Sequence, residues 1–391
     1  MEKNFKMVAK TLYGLEEILA KEIRQLGASE VVIGTRNVSF MGDTGFMYKA
    51  NLCCRTAIKI LKPITVFNVF TEDDLYKRVY NIPWEDYMNT KGSLAVDATV
   101  FSKQFTHSKY ISLKTKDAIV DRFRDKEGTR PNVDLDHPTL RINIHIDRNI
   151  CTVSLDSSGQ SLHKRGYKLA NTMAPINEVL AAGMIMLSEW NGQCDFLDPM
   201  CGGGTILIEA AMIACNIPPN LNRREFGFEN WIDFDFDLYK LIEDSALKKI
   251  RDFNFKIFGY DIDAFVLSKA KENIKSANLQ EFISVRKQDF FESKKETEKP
   301  MYLVFNPPYD ERLQVDTEVL YSSIGTTLKH NYPGTQAWMI TSNMEALKHV
   351  GLRPSRRIKL YNGKLESKFV KYEMYEGSRK AKKQQRTTSY K

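Results

Sequence analysis

Four polar residues of the sequence each follow a predicted apolar strand. They are Asp198 after Phe196-Leu197, Asp261 after Lys256 to Tyr260, Asp289 after Ser284 to Lys287, and Asn306 after Met301 to Phe305. The parallel strands of an open α/β sheet present their carboxyl ends at one edge, and ligands bind there. Carboxylates at such an edge can accept hydrogen bonds from an ammonium group, from ribose hydroxyls and from an adenine amine. The sequence therefore predicts one polar ligand site on a doubly wound sheet.

A glycine-rich turn follows the first of these strands. The stretch from Asp195 to Ala211 reads DFLDPMCGGGTILIEAA, which predicts a strand, a turn and a helix. Glycines let the backbone turn sharply and approach a ligand closely, and the helix N-terminus offers free N–H groups. No Lys follows the last glycine, which excludes a phosphate-binding P-loop. Taken alone, the stretch could also be an ordinary strand-to-helix loop.

The segment Asn306-Pro307-Pro308-Tyr309 follows the fourth strand directly. Two prolines at this position predict a stiff and extended turn. The same four residues would be unremarkable in an isolated turn. Their place after three acidic strand ends, in this order, makes them much more specific.

With these segments in order, the chain resembles the class I S-adenosylmethionine (SAM)-dependent methyltransferases that act on exocyclic amines of nucleobases. Its closer resemblance is to the THUMP-domain guanine-N2 methyltransferases of bacterial large-subunit ribosomal RNA (rRNA). The motifs that carry it are SLDSSGQSLHKRGYK (154–168), DPMCGGGTILIEAA, FGFENW (226–231), NPPYDERL and KLYNGKLES (359–367). The resemblance covers nearly the whole chain.

The resemblance implies a role for each site residue. The implied cofactor-binding residues are Asp198, Pro199, Met200, Cys201, Gly202, Gly203, Gly204, Thr205, Asp261, Ile262, Asp263, Asp289, Phe290 and Asn306. The amino-acid end of SAM would lie over the glycines near Asp198. Asp261 would hold the ribose, Asp263 would support that turn, and Asp289 with Phe290 would hold the adenine.

The catalytic residues implied in the same way are Asn306, Pro307, Pro308 and Tyr309. The Asn306 side-chain oxygen and the Pro307 carbonyl would accept the two N–H bonds of the target amine. Tyr309 would stack on an extruded base. Two positions depart from the family pattern, Asn177 in place of the usual Lys and Asp310 in place of the usual Gly.

Composition limits the class of protein. The chain has 391 residues, 42% of them hydrophobic and 27% charged, with a formal net charge of +8, which is typical of a globular protein with two or three domains. No apolar run is long enough to span a membrane, and the N-terminus lacks a signal peptide. The six cysteines and six histidines show no metal-ligand spacing. We therefore expect a cytoplasmic protein with reduced thiols, no metal and no evident obligate protein partner.

Four segments are predicted along the chain. Residues 1–66 show the order βαββαβ of a ferredoxin-like α+β domain, with its last strand predicted at Ala57 to Leu61. Residues 67–160 form a small basic α+β segment where the resembling family carries its THUMP RNA-binding domain, and Leu140 to Ile146 and Asn149 to Leu155 are predicted to pair there as a hairpin. Residues 161–377 form the α/β class I (Rossmann-like) methyltransferase domain, with a helix predicted from Glu345 to Val350, and end in an antiparallel hairpin. Residues 378–391 form a basic tail that we expect to be disordered.

Basic residues interleaved with aromatic ones indicate RNA contacts. The candidates are Lys103, Phe105, His107 and Lys109 within Val100 to Tyr110, and Arg223 and Arg224. Lys164 and Arg165 are added because the resemblance implies that their segment passes beside the cofactor and substrate. Such residues suit phosphate contact and base stacking. A solvated loop is the alternative for the first group. Simple packing is the alternative for Arg223 and Arg224, which belong to an insertion at residues 217–255.

The sequence thus favours SAM-dependent methylation of guanine N2 in large-subunit (23S) rRNA. A second enzyme hypothesis is adenine-N6 methylation of DNA or RNA, because NPPY serves both amines. A hypothesis of another class is a non-catalytic RNA-binding or ribosome assembly factor. The intact strand-end residues argue against this last hypothesis.

Overall fold

The computed structural model describes residues 4–169, 175–308 and 316–375. Tyr309, Asp310 and the predicted tail at 378–391 therefore lie outside the described residues. The described chain forms two compact units. The first unit comprises the described residues of Met1–Thr11, Leu19–Lys164 and Arg223–Lys248, and the second those of Leu12–Ile18, Arg165–Asn222 and Lys249–Lys391.

The N-terminal part of the chain forms one mixed sheet with helices. Its elements are β1 (Phe5–Thr11), α1 (Glu16–Leu26), β2 (Ser29–Gly34), β3 (Asn37–Gly42), α2 (Thr44–Cys53), β4 (Ala57–Asn68), α3 (Glu72–Tyr80), β5 (Ser93–Phe101), α4 (Ser108–Glu127), β6 (Asn132–Val133), β7 (Leu140–Asp147) and β8 (Ile150–Asp156). The strand order is β2-β3-β1-β4-β8-β7-β5-β6. The predicted βαββαβ order of the first domain and the predicted β7–β8 hairpin are confirmed.

Strand β4 is longer than the sequence predicts. It continues beyond Leu61 to Asn68, and its pairing with β8 shifts register between Pro63 and Thr65. A bulge of this kind accommodates a proline, which cannot donate a ladder hydrogen bond. The predicted domain boundary at residues 66 and 67 therefore lies inside a strand, and both N-terminal domains share one sheet.

The C-terminal part of the chain forms a seven-stranded sheet. Its elements are α5 (Glu178–Leu187), β9 (Asp195–Asp198), α6 (Thr205–Ala214), β10 (Ile257–Asp261), α8 (Ala264–Ser276), β11 (Ile283–Lys287), β12 (Met301–Phe305), α9 (Thr317–Asn331), β13 (Thr335–Thr341), β14 (Arg356–Asn362) and β15 (Leu365–Glu373). The chain between α6 and β10 also contains α7 (Phe236–Leu247), which belongs to the first unit. The order is β11-β10-β9-β12-β13-β15-β14. The first five strands are parallel, and β15 runs antiparallel to β13. This order confirms the predicted doubly wound fold with its terminal hairpin.

Local sequence explains the elements around the site. Phe196 and Leu197 are buried in β9, and apolar residues on both faces are typical of a central parallel strand. Asn177, which departs from the family's usual Lys, caps α5 by accepting hydrogen bonds from the backbone N–H groups of Val179 and Leu180. An Asn is a favoured residue at such a cap, so the departure leaves the helix start intact.

The insertion packs within the first unit. Its residues 223–248 include α7, which the sequence analysis did not predict and had assigned to the methyltransferase domain. The Phe228 ring stacks on Tyr48 at 4.4 Å between centroids and on Phe226 at 5.2 Å. Both Phe rings are buried, as is Trp231. The aromatic cluster of the insertion is therefore part of a core.

Two smaller findings concern helices. The helix predicted from Glu345 to Val350 is a short 3₁₀ turn at Ala346–Val350. In residues 4–169, 175–308 and 316–375, no helix combines the length and the apolar character needed to cross a bilayer.

Candidate active site

The polar residues predicted at strand ends meet at one edge of the seven-stranded sheet. Asp198 ends β9 and Asp261 ends the neighbouring β10, while Asn306 follows the last residue of β12 on the other side of β9. Asp289 lies two residues beyond the end of β11. The strand order reverses at β9, which is where open α/β sheets bind ligands.

The glycine turn is held by hydrogen bonds to β10. The Cys201 N–H donates to the Tyr260 carbonyl at 2.9 Å, and the Gly202 N–H donates to Asp261 Oδ2 at 3.0 Å. Gly202 and Gly204 have φ angles of 53° and 81°, in the region that glycine adopts at no steric cost. Gly204 is the N-cap of α6 and provides no side-chain cap. The first N–H groups of α6 are therefore available to a ligand.

Two further residues of this turn are buried. Burial raises the pKa of the Asp198 carboxyl well above its ordinary value, and its Oδ1 accepts a hydrogen bond from the Met200 N–H at 3.1 Å. Burial likewise raises the pKa of the Cys201 thiol, whose sulfur would lie 3.1 Å from a Cβ placed on Gly259. Cys201 thus packs against β10 as a neutral thiol. Asp198 is a buried acid whose charged form a ligand cation would stabilise.

The end of β10 combines an acceptor with an exposed apolar side chain. Asp261 Oδ1 accepts from the Asp263 N–H at 3.0 Å, so each carboxylate oxygen of Asp261 makes one backbone contact and keeps acceptor capacity. Asp263 caps α8 by accepting from the Phe265 N–H at 2.8 Å, which agrees with a supporting role. Ile262 is 66% exposed. This residue gives the edge an apolar surface on which a flat ring can pack.

The residues after β11 include the two that were expected to hold the adenine, Asp289 and Phe290. Asp289 Oδ1 accepts from the Phe291 N–H at 2.8 Å. The Phe290 side chain is only 2% exposed and packs beside Phe305 and Tyr332, at 6.0 and 5.5 Å between ring centroids. A ring buried in the core cannot contact adenine, so a contact between Phe290 and the adenine would have to come from its backbone. Its ring supports the wall of the site instead.

The loop after β12 presents acceptors. Asn306 Oδ1 is buried, and among the described residues it has no hydrogen-bond partner. Pro307 and Pro308 follow, and neither has a backbone N–H. Native structures rarely leave a buried polar atom unpaired, so each case calls for an explanation. A donor from a bound molecule would satisfy this oxygen.

An open groove in the first unit contains one of the predicted RNA-binding residues. It has a volume of about 660 Å³ and is lined by Phe101, Ser102, Lys103, Gln104, Arg148 and Asn149. Parallel pairing places Phe101 opposite Asp147, so the loop after β5 lies beside the β7–β8 turn. Phe101 is 65% exposed. The groove combines an exposed ring with two cations.

The structure contradicts two predicted RNA contacts. Phe105 is 2% exposed and belongs to the hydrophobic core of the first unit, so its ring is not free to stack on a base. Arg165 is 1% exposed, and its guanidinium donates to Glu209 and Asn220. Tyr167 donates to the same Glu209 carboxylate at 3.1 Å. Arg165 therefore belongs to a buried polar cluster and cannot contact RNA directly.

The remaining predicted RNA contacts fall into two groups. His107, Lys109, Lys164 and Arg224 are exposed. Arg223 donates to the carbonyls of Ser158, Gln160, Ser161 and Lys164 and lies over the Phe226 ring at 5.2 Å. Its guanidinium thus holds a loop of the first unit, which is a structural use.

Three residues beside these sites were not predicted from the sequence. Phe101 and Arg148 line the groove but are separated in sequence, and only the β5–β7 pairing brings them together. Asn273 is buried in α8 and donates to the Gly203 carbonyl at 3.1 Å. A polar residue on the apolar face of a predicted helix is the signal that could have identified it. Within the described ranges, no cluster of three His, Cys, Asp or Glu side chains could hold a metal.

Comparison with protein families matches three segments of the chain. Residues 165–371 match the model described as RMKL-like, methyltransferase domain. Residues 70–156 match the THUMP domain, and residues 6–61 match the RlmL ferredoxin-like domain.

Curated proteins of similar sequence include two kinds of methyltransferase. The ribosomal RNA large subunit methyltransferase K/L of Syntrophotalea carbinolica is 37% identical over 390 residues, covering 96% of this chain and 54% of that protein. A putative RNA methyltransferase of Synechocystis sp. is 36% identical over 365 residues, covering 93% of this chain and 95% of that protein. The chain thus spans about half the length of the curated K/L relatives that it matches.

Solved structures with a similar fold cover almost the whole chain. SMU.472, a putative methyltransferase crystallised with SAH, has a TM-score of 0.85 at 29% identity and covers 97% of this chain and 100% of its own. A predicted N6-adenine-specific DNA methylase from Listeria monocytogenes has a TM-score of 0.84 at 31% identity and covers 95% and 97%.

Proposed function

Because this chain belongs to the RMKL-like methyltransferase family, we propose that it transfers a methyl group from SAM to the N2 amine of a guanine in large-subunit rRNA. The observation that carries the proposal is the buried oxygen of Asn306, which lacks a partner among the described residues. It lies at the carboxyl edge of the sheet, two strand ends away from Asp261.

The residues at this edge fit SAM. The buried Asp198 suits the cofactor's ammonium group, since an opposite charge offsets the desolvation of the carboxylate. The uncapped N–H groups at the start of α6 suit its carboxylate. Asp261 has acceptor capacity for the ribose hydroxyls, and the exposed Ile262 offers a surface for the adenine ring. The presence of SAH in the similar structure of SMU.472 supports this choice of cofactor.

SAM would supply a methyl group bonded to a positively charged sulfur: as the N–CH3 bond forms the S–CH3 bond breaks, the neutral thioether SAH leaves without acid catalysis, and the amine loses one N–H proton to water. The protein's task is then to prepare a weak nucleophile, because the lone pair of an exocyclic amine is delocalised into the base. Asn306 Oδ1 and the Pro307 carbonyl would accept the two N–H bonds of the amine and direct its lone pair toward the methyl group. Since Pro307 and Pro308 contribute no donors, the loop offers acceptors at the place where an amine needs them. Most of the acceleration would then come from positioning.

The RNA part of the proposal rests on the first unit and on the relatives. The groove pairs Phe101 with Lys103 and Arg148, a combination that can stack an unpaired base and neutralise its phosphates. The formal net charge of +8 favours a polyanionic partner. The names of the K/L relatives support large-subunit rRNA as the substrate. A protein that acts on rRNA would be located in the cytoplasm.

Adenine-N6 methylation remains the competing hypothesis, because a similar structure is described as a predicted N6-adenine-specific DNA methylase. The chemistry of the Asn306 loop serves either amine. The two hypotheses differ in the methylated nucleoside that is formed.

The test is methyl transfer in vitro. The full chain is incubated with unmodified large-subunit rRNA and SAM carrying a labelled methyl group, and the RNA is digested and analysed by mass spectrometry. We expect the label in N2-methylguanosine. Label in N6-methyladenosine would support the competing hypothesis. Absence of label, with SAM binding intact, would instead favour the non-catalytic RNA-binding factor.

A further inference from the structure

Asn273 is a buried amide on a helix that is otherwise amphipathic. It lies in α8 and is 1% exposed, on the same side as the buried Leu267, Ala270 and Ile274. Asn is a poor helix former, and burying its amide is costly unless it is hydrogen-bonded. The contacts of the amide must therefore explain its presence at this position.

Both ends of the Asn273 amide bind backbone from other segments. Nδ2 donates to the Gly203 carbonyl at 3.1 Å, and Oδ1 accepts from the Leu169 N–H at 3.0 Å. The glycine turn lies directly against α8, because a Cβ on Gly204 would be 3.4 Å from the Ala270 Cβ. The Asn273 side chain thus fastens the glycine turn to α8, which begins close to Asp261.

The carbonyl that accepts the Asn273 hydrogen bond belongs to a peptide group that can rotate easily. The peptide between Gly203 and Gly204 lacks a Cβ on either side, so steric resistance to rotation is low. It is held by the Asn273 donor and by the Gly204 N–H, which donates to the Cys201 carbonyl at 2.9 Å. Rotation of this peptide would break both hydrogen bonds and rearrange the backbone beside the N-terminus of α6, where the cofactor's carboxylate is proposed to bind.

The hydrogen bonds of the N–H groups in the glycine turn show which of these donors remains for a ligand. The N–H groups of Cys201, Gly202 and Gly204 are all used inside the protein. Among the residues that the structure describes, the Gly203 N–H has no acceptor. It is thus the glycine-turn donor that remains for a ligand, next to the uncapped start of α6.

We propose that Asn273 is a positioning residue for the cofactor: its amide fixes the Gly203–Gly204 peptide so that the Gly203 N–H and the start of α6 face the amino-acid end of SAM. The inference rests on the proposed placement of SAM over the glycine turn. Asn273 touches neither the cofactor nor the target base, so its loss acts on cofactor affinity and not on the chemical step.

Three variants of the full chain test this role. Asn273→Ala removes the donor and places a strong helix former at this position. Asn273→Asp keeps the acceptor for Leu169 but replaces the donor to Gly203 by a carboxylate. Asn331→Asp is the matched control. Asn331 Nδ2 also donates to a backbone carbonyl, that of Ser293 at 2.8 Å, but this contact lies away from the glycine turn.

SAM affinity is measured by calorimetry, and melting temperatures identify the variants that fold. We expect Asn273→Ala to weaken SAM binding about tenfold, the loss of roughly one hydrogen bond, and Asn273→Asp to weaken it further at about pH 8. We expect burial to raise the pKa of the new carboxyl, so lowering the pH should favour its protonated form, which restores a donor. SAM affinity of Asn273→Asp should therefore recover relative to the wild type as the pH falls, whereas Asn273→Ala should not recover.

The turnover number at saturating SAM should stay within about twofold of the wild type in both variants. The interaction that is lost stabilises the ground state and the transition state equally, so its loss changes SAM affinity and not the turnover number. Unchanged SAM affinity in the folded Asn273 variants would overturn the inference, as would an Asn331→Asp effect of the same size. If Asp261→Ala weakens SAM binding while both Asn273 variants do not, only the positioning role falls. If none of them changes affinity, the proposed cofactor site itself is wrong.

Discussion

The unpaired oxygen of Asn306 yields a prediction that separates a functional amide from a structural one. The change is Asn306→Ala. A buried polar atom without a partner costs about 1–3 kcal/mol of stability, and Asn306 Oδ1 is such an atom among the described residues. Removing it relieves that cost and offsets the loss of side-chain packing. We expect the free energy of unfolding to change by no more than about 1 kcal/mol.

The same change should act strongly on the reaction. Without the Asn306 acceptor the amine loses one of the two hydrogen bonds that direct its lone pair. We expect the rate of methyl transfer to fall by roughly two to four orders of magnitude, which corresponds to about 3–5 kcal/mol of transition-state stabilisation. SAM affinity should remain nearly unchanged, because this side chain is proposed to face the acceptor amine.

Single-turnover methylation with saturating SAM measures the chemical step, and denaturant unfolding measures stability. Asn331→Ala is the control with the opposite pattern, since its amide donates to the Ser293 carbonyl at 2.8 Å. This control should lose about 1 kcal/mol of stability and keep its methylation rate. An Asn306→Ala protein that reacts like the wild type, or that merely unfolds more easily, would refute the reasoning.

Three other predictions concern the ligands. Asp261→Ala should weaken SAM binding by about 1.5–3 kcal/mol, and unchanged affinity by calorimetry would reject the ribose role; because Asp261 also holds the Gly202 N–H, part of the loss reflects the turn. Burial raises the pKa of Asp198, so SAM affinity should fall as the pH falls through that raised pKa and binding there should release a proton. Calorimetry in two buffers should detect this release in the wild type but not in Asp198→Asn. In the groove, Lys103→Ala and Arg148→Ala should each lower the salt dependence of RNA binding by about one counterion, whereas the same change at the exposed Lys271 should not.

The methyltransferase fold follows closely from the sequence because its signals are local. Strands β9, β10 and β12 are short apolar runs, and each ends at or beside the polar residue that marks it, namely Asp198, Asp261 and Asn306. The family inferred from the motifs is confirmed by the match over residues 165–371. Local pattern is sufficient here because parallel strands place their ends at one edge.

The predictions from sequence that were wrong or incomplete have a common physical cause. Phe105 and Arg165 occur in stretches rich in charge, but their side chains face the interior, and composition does not reveal the direction of a side chain. Helix α7 was missed because the insertion that contains it packs against Tyr48, about two hundred residues earlier in the chain. Strand β4 extends beyond its prediction because its C-terminal half pairs with β8.

The proposed reaction is methylation of guanine N2 in large-subunit rRNA through Asn306. Mass mapping of rRNA nucleosides from cells that lack the chain, complemented with the wild type or with Asn306→Ala, tests this reaction. We expect that one N2-methylguanosine is lost, that the wild type restores it, and that Asn306→Ala does not. An unchanged N2-methylguanosine content in cells lacking the chain, or full restoration by Asn306→Ala, would contradict this proposal.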